Sequence, residues 1–207
     1  MNTANTIDLY DAIKSVETIA TAPDSALNNP KMYMNHILGE LIYGEHIVRM
    51  INDAEQLENG LDIDLMDLCF IYHDVGRPFT YGLDIHEINS GIYLRSIGLD
   101  EIADIVQRHF VSYEKAKEII IPQGIADIEP LEFIQSAWEP KVLTYVDLCV
   151  DSSGKYIGWE KKIDSFVEKY SSPERASPDM VKILEAGGLD RMKDICEEVE
   201  GLFEIIF

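Results

Sequence analysis

Apolar residues recur at helical spacing along nearly the whole chain, and no alternating apolar–polar run extends beyond a few residues, so the pattern predicts an all-α fold. Ile7, Tyr10, Ile13, Val16 and Ile19 predict an amphipathic helix that ends before Pro23. A long helix is predicted from Lys31 to about Leu57, with Met34, Leu38, Leu41, Ile42 and Met50 as its apolar stripe. His46 lies one turn from both Ile42 and Met50 and so falls on the predicted buried face. His36 has no partner in this pattern and reads as structural or exposed. Asn59-Gly60 marks a turn, and Leu61 to Tyr72 forms the next predicted helix, with Asp62 or Asp64 as its cap. Gly76 and Pro78 stop it.

Asp84 and Glu87 resemble a capping box and place His86 in the first turn of a helix that runs through Ile88, Ile92 and Leu94 to Gly98. An Asp100 cap begins another, in which Ile102, Ile105, Val106 and His109 share a face. Pro122, Gly124 and Pro130 break the stretch from 114 to 137 into short pieces. Pro140 suits the first turn of the following helix, where Leu143, Val146 and Val150 surround Asp147. A carboxylate in such a face is costly unless it is paired, hydrogen-bonded or bound to a metal. Beyond a turn at Asp151 to Gly154, Trp159 to Tyr170 predicts a helix bearing Lys161, Lys162 and Lys169. Two more helices split at Gly187-Gly188, the last carrying Met192, Ile195, Val199, Leu202 and Phe203 on one face.

The expected organisation is a helical appendage over residues 1–30, packing on the core or on a second subunit, a central domain over 31–170, and C-terminal helices over 171–207 that pack on the core. A homodimer is compatible with it. Apolar content of 46% and charged content of 27% are ordinary for a folded domain. The net charge of −21 changes the picture, because so acidic a surface repels duplex nucleic acid and anionic membrane. A phosphate-bearing substrate would need a concentrated positive site, which bound metal supplies. Cys69, Cys149 and Cys196 sit far apart in apolar stretches, as expected of buried free thiols in a reducing cytoplasm. No leader and no spanning apolar run is apparent, so a cytoplasmic location is expected.

Candidate chemistry centres on Phe70-Ile71-Tyr72-His73-Asp74-Val75-Gly76-Arg77-Pro78. An adjacent His-Asp pair at the end of a buried helix aims an imidazole nitrogen and a carboxylate oxygen at one point. The five histidines lie at 36, 46, 73, 86 and 109, and Asp147 follows inside a late apolar run. In order and context, Glu45-His46-Ile47-Val48-Arg49, His73-Asp74-Val75-Gly76-Arg77-Pro78, His86-Glu87-Ile88-Asn89-Ser90-Gly91, Gln107-Arg108-His109 and Thr144-Tyr145-Val146-Asp147 resemble the HD-domain metal-dependent phosphohydrolases, whose pattern is H…HD…H…H…D. The resemblance runs from about His46 to Tyr170 and implies an HD-domain helical bundle with N- and C-terminal helical extensions.

It further implies that His46, His73, Asp74 and Asp147 hold a first metal. His86 and His109 complete a second position, with Asp74 bridging as the key catalytic residue. Imidazole and carboxylate together suit a divalent transition metal, one or two per chain: manganese, iron, cobalt, nickel or zinc. Hydrolysis of a small phosphoester by metal-activated water is the activity implied, on a nucleotide or a related phosphomonoester or cyclic phosphodiester. Arg77 serves either as a phosphate clamp or as a salt bridge fixing the loop. Di-iron oxygenase chemistry and a non-catalytic nucleotide-binding role are the other readings of the same ligands. No Ser-His-Asp, P-loop or dinucleotide-binding glycine pattern is present.

Overall fold

The computed structural model describes residues 7–80, 85–124, 129–171 and 178–203. Among these, every regular element is helical, and β-pairing is limited to one isolated antiparallel bridge between Val150 and Tyr156. The all-α expectation is met.

Helix α1 (Leu9–Ala20) is capped by Asp8, whose side chain accepts from Tyr10 N. Its innermost face is Ala12, Val16 and Ala20, while Tyr10 is mostly exposed. Small residues let α1 approach α2 (Pro30–Asp53) and α3 (Ile63–Tyr72) closely, and all three share one hydrophobic core. The caps of α2 and α3 are Asn29, accepting from Met32 N at 3.1 Å, and Asp62, accepting from Leu65 N at 3.1 Å.

The buried face of α2 differs from the predicted stripe. Tyr33, His36, Ile37, Glu40, Gly44, Ile47, Val48 and Ile51 face inward, whereas Leu38 and Ile42 are exposed, Ile42 at 68%. Two glycines show why. A Cβ on Gly44 would lie 2.3 Å from the Phe70 ring of α3, and one on Gly39 would lie 2.5 Å from the Gly154 backbone. The closest packing therefore runs along the glycine side of α2, and the bulkier apolar side chains are displaced to its flanks.

Helices α4 (His86–Ser96) and α5 (Asp100–Val106) pack on one another, and α5 also packs on α3. The Asp84 half of the proposed capping box lies outside the described residues; Ile85 takes the cap position without a side-chain hydrogen bond. Asp100 is the first residue of α5 rather than its cap, which is Leu99. After the short α6 (Ser112–Lys115), a π-turn over Ala116–Ile120 and a 3-10 turn over Pro130–Phe133, the chain enters α7 (Trp138–Cys149). This helix crosses the middle of the molecule against α2, α3 and α5. Helix α8 (Trp159–Ser171) and α10 (Gly188–Glu200) cover α7, and α9 (Pro178–Glu185) rests on α10 and the π-turn. Cys69, Cys149 and Cys196 are buried free thiols. No helix among the described residues is long and apolar enough to cross a membrane.

Candidate metal centre

Five helices, or the turns that follow them, deliver side chains to one point. From α2 come His36 and Glu40, one turn apart on the glycine side of the helix. His73 follows the last residue of α3, and Asp74 comes next. His86 opens α4, His109 lies three residues past the end of α5, and Asp147 sits in α7. Each of these seven side chains is buried, Glu40, His73 and His109 completely.

Backbone packing sets the approach. A Cβ on Gly76 would lie 2.2 Å from His86 O, so only glycine lets the start of α4 close against the His73-Asp74 turn. Ser90 Oγ ties the two together, accepting from Gly76 N and donating to His73 O, both at 2.8 Å. On the other side, the turn after α7 rides on α2. Gly154 has φ +81°, and a Cβ there would lie 2.2 Å from Asn35 O. That contact brings Asp151 O within 3.1 Å of His36 Nδ1.

The imidazoles share one orientation. Nδ1 of His73 lies 2.9 Å from Phe70 O, and Nδ1 of His109 lies 2.5 Å from Val106 O. His86 Nδ1 is 3.6 Å from Glu87 Oε2, and Glu87 is itself held by the buried Lys115 at 2.7 and 3.0 Å. With Nδ1 of His73 and His109 donating to a backbone carbonyl, those two rings turn Nε2 toward Asp74, and His86 Nε2 faces it as well. This is the arrangement that orients metal-ligating histidines.

The inward atoms fall into two groups, each with donor atoms within 4.8 Å of one another: His36, Glu40, His73 and Asp147, and Asp74, His86 and His109. Asp74 faces both. Its Oδ2 lies 3.4 Å from His73 Nε2 and 4.0 Å from His36 Nε2, while its Oδ1 lies 3.1 Å from His86 Nε2 and 4.0 Å from His109 Nε2. His36 Nε2 also lies 2.8 Å from Glu40 Oε1 and 3.4 Å from Asp147 Oδ1. Both Glu40 oxygens, His73 Nε2, Asp74 Oδ1 and His109 Nε2 are buried without a hydrogen bond. Orphaned buried acceptors are costly, and a cation among them removes the cost. The donor set therefore fits a divalent transition metal.

His46 is placed elsewhere. It is exposed on α2, ten residues past His36, about 15 Å along the axis and on a different face at helical pitch. The expectation that His46 joins His73, Asp74 and Asp147 is corrected to His36, and the expectation that His36 stands outside the pattern is corrected with it. The structure brings His73, Asp74, His86, His109 and Asp147 together. Glu40 was not foreseen. The available signal was an acid four residues after His36, on a face otherwise glycine and apolar.

Arg77 Nε pairs with Asp74 Oδ2, so its loop-fixing role is present, and its side chain also lines the adjoining cavity. Burial raises the Asp74 carboxyl, but Arg77 and the neighbouring imidazoles outweigh it and hold the group well below the usual carboxylate range. Burial works against protonation of His36 and His73. The Glu40 carboxylate outweighs burial in both, joined by Asp147 at His36 and by Asp74 at His73, and the two rings are pushed up to about 10 and about 9. Burial, helped by the charge of His73, holds His109 down to about 4.

These shifts predict a pH-linked competition. Raised imidazole pKa values stabilise the metal-free chain fully below the ordinary 6.5, and that contribution is lost as pH rises through about 9 and 10. A metal must displace the same protons. Thermal melts of chelator-treated protein should therefore show stability falling above about pH 6.5, while the increment from added manganese or zinc grows over the same range. A metal increment that shrinks from about pH 6 to about pH 9 would contradict this assignment of protons.

A buried cluster of histidines and carboxylates inside a helical bundle defines a helical domain with a side-chain set that could hold a metal ion. The family model described as HD domain matches residues 43–134 of the chain. That superfamily is metal-dependent and of hydrolase type. Both His36 and Asp147 lie outside the matched stretch, at opposite ends. The chain is also similar to uncharacterized protein MJ0778 of Methanocaldococcus jannaschii, with 26% identity over 114 residues, covering 53% of this chain and 60% of that protein. The chain thus spans less than two thirds of this relative's length. No solved structure gives a match.

Proposed function

We propose that this protein is a metal-dependent phosphohydrolase acting on a small phosphoester. The observation that carries the reading is a cavity of about 430 Å³ that reaches His36, Asp74, His86 and Asp147 and is also lined by Arg77, Lys162 and Lys169. In a chain of net charge −21, Arg77, Lys162 and Lys169 gather around one opening, which suits an anionic ligand once the lining carboxylates Asp74 and Asp147 are committed to metal.

His36, His73, Asp74 and Asp147 would hold one metal, with Glu40 beside it, and Asp74, His86 and His109 a second. Such ions supply Lewis acidity toward phosphoryl oxygens and make water a stronger acid near neutral pH. The chain's own residues do the rest. Arg77 presents a guanidinium to the cavity while its Nε fixes Asp74. Lys162 Nζ donates to Val150 O at 2.7 Å, which anchors its charge at the C-terminal end of α7 beside Asp147. Burial of the imidazoles and carboxylates keeps bulk water from the inner faces of the ligands. A di-iron oxygenase could use the same ligands, and metal-dependent phosphate release that needs no oxygen separates the two.

The test is a panel of nucleoside monophosphates, sugar phosphates, aryl phosphates and cyclic nucleotides, assayed with manganese, cobalt, nickel, iron or zinc and again after chelation. Release of phosphate or ring opening that depends on added metal is the expected result. Metal-loaded protein inert toward the whole panel would overturn the reading.

A further inference from the structure

The cavity has a second wall that phosphate chemistry does not require. Lys162, Phe166, Lys169 and Tyr170 line it from α8, spaced so that they form one stripe along the helix. Phe110, immediately after His109, lines the same cavity. The Phe110 and Phe166 rings meet edge-to-face at 5.7 Å, and Phe166 and Tyr170 lie 4.6 Å apart. Lys169 Nζ sits 4.8 Å from the Tyr170 ring centroid. All three aromatic side chains are only half-buried, so each keeps surface for a ligand.

Phe110 is held there against its own backbone preference. Its φ is +55°, a left-handed conformation that residues other than glycine adopt rarely. Strain of this kind persists where surroundings over-determine it, and it clusters at ligand sites. The surroundings here are specific. Phe110 N donates to Thr144 Oγ1 at 3.0 Å, and Phe110 O accepts from Gln135 Nε2 at 3.0 Å and from Arg191 Nη2 at 2.9 Å. Arg191 comes from α10, grips Glu114 through Nε and Nη2 at 2.7 and 2.6 Å, and also bonds Gln135. Core packing alone would not call for three side chains to fix one strained peptide beside a cavity.

We infer that Phe110, Phe166 and Tyr170 form a subsite for a flat aromatic ring, so that the preferred ligands are phosphoesters carrying such a ring, with Arg191 as the residue that positions Phe110. The phosphate half of this statement rests on the phosphohydrolase reading, whereas the ring half stands on the wall itself. A planar ring gains from stacking on aromatic faces regardless of its substituents. Lys162, Lys169 and Arg77 line the same cavity and supply positive charge for the phosphate.

The test uses non-hydrolysable pairs, so it does not depend on turnover. Phenylphosphonate and methylphosphonate carry the same anionic group and differ in the ring; a nucleoside 5′-phosphonate tells a nucleobase from a simple aryl group. Calorimetric titration of the full-length, metal-loaded chain should show phenylphosphonate binding about 10-fold or more tighter than methylphosphonate. Phe110→Leu and, on a separate helix, Phe166→Leu should bring that ratio toward one and leave methylphosphonate affinity unchanged. Arg191→Met should narrow the ratio in the same way, with partial recovery in Arg191→Lys. Equal affinity for both phosphonates in the wild-type chain, no binding of phenylphosphonate, or a ratio untouched by either phenylalanine substitution would overturn the inference. If phenylphosphonate binds preferentially but no phosphoester is turned over, the aromatic subsite stands and the hydrolase reading falls.

Discussion

His36→Ala is expected to abolish tight metal binding, and His46→Ala to leave it unchanged. Two histidines on one helix, ten residues apart, are thus expected to behave oppositely. His36 is buried, its Nδ1 engages Asp151 O at 3.1 Å, and its Nε2 sits between Glu40, Asp74 and Asp147. Removing a ring so placed should weaken metal affinity by more than the roughly 10–100-fold that loss of an outer partner costs. His46 is exposed on another face of α2, where substitutions usually change stability by no more than about 0.5 kcal/mol. Metal content after dialysis and a competition titration with a chelating dye measure both variants. Loss of metal in His46→Ala with retention in His36→Ala would reverse the assignment.

Asp74→Asn is expected to be the most damaging substitution for turnover. Asparagine keeps the shape but removes the negative charge between Arg77 and the imidazoles of His73 and His86. Each carboxylate oxygen of Asp74 faces a different ligand group, so the change touches both candidate metal positions at once. Metal-supported phosphoester hydrolysis should fall by about 10²–10³-fold or more, the scale of losing one preorganised charge-stabilising group. Manganese or iron stoichiometry should drop below that of the wild-type chain, for which two equivalents are expected. Hydrolysis at the original rate in Asp74→Asn would sink the bridging role, as would wild-type protein that never binds more than one equivalent.

Fold class and most of the centre were legible because they depend on local chemistry. Helical periodicity follows from the sequence spacing of apolar residues, and the structure is helical throughout its described elements. His73-Asp74 announces itself as an adjacent pair ahead of Gly76, and Asp147 is conspicuous as an acid in an apolar helix face. His86 and His109 could be named from their order, though not from any contact between them. Their rings meet at 5.6 Å only because Gly76 lets α4 close on the His73-Asp74 turn.

The side of α2 that faces inward was decided by tertiary structure alone. Its sequence offers apolar residues on more than one side, and size favours the stripe with Leu38, Ile42 and Met50. Contact distance decided otherwise. Gly44 admits the Phe70 ring, Gly39 and Gly154 admit the turn after α7, and rotation of the helix to make those contacts exposes Ile42 and His46 while burying His36 and Glu40. Periodicity records which residues are apolar, but the closest approach of two helices depends on residues that have no side chain to record. The same holds for Phe110, whose positive φ is set by Thr144, Gln135 and Arg191, the last of these 81 residues further along the chain. The sequence by itself determined a helical chain with imidazoles and carboxylates suited to a metal. Which histidine of α2 faces the centre, and which aromatic rings wall the cavity beside it, was set by packing between segments remote in sequence.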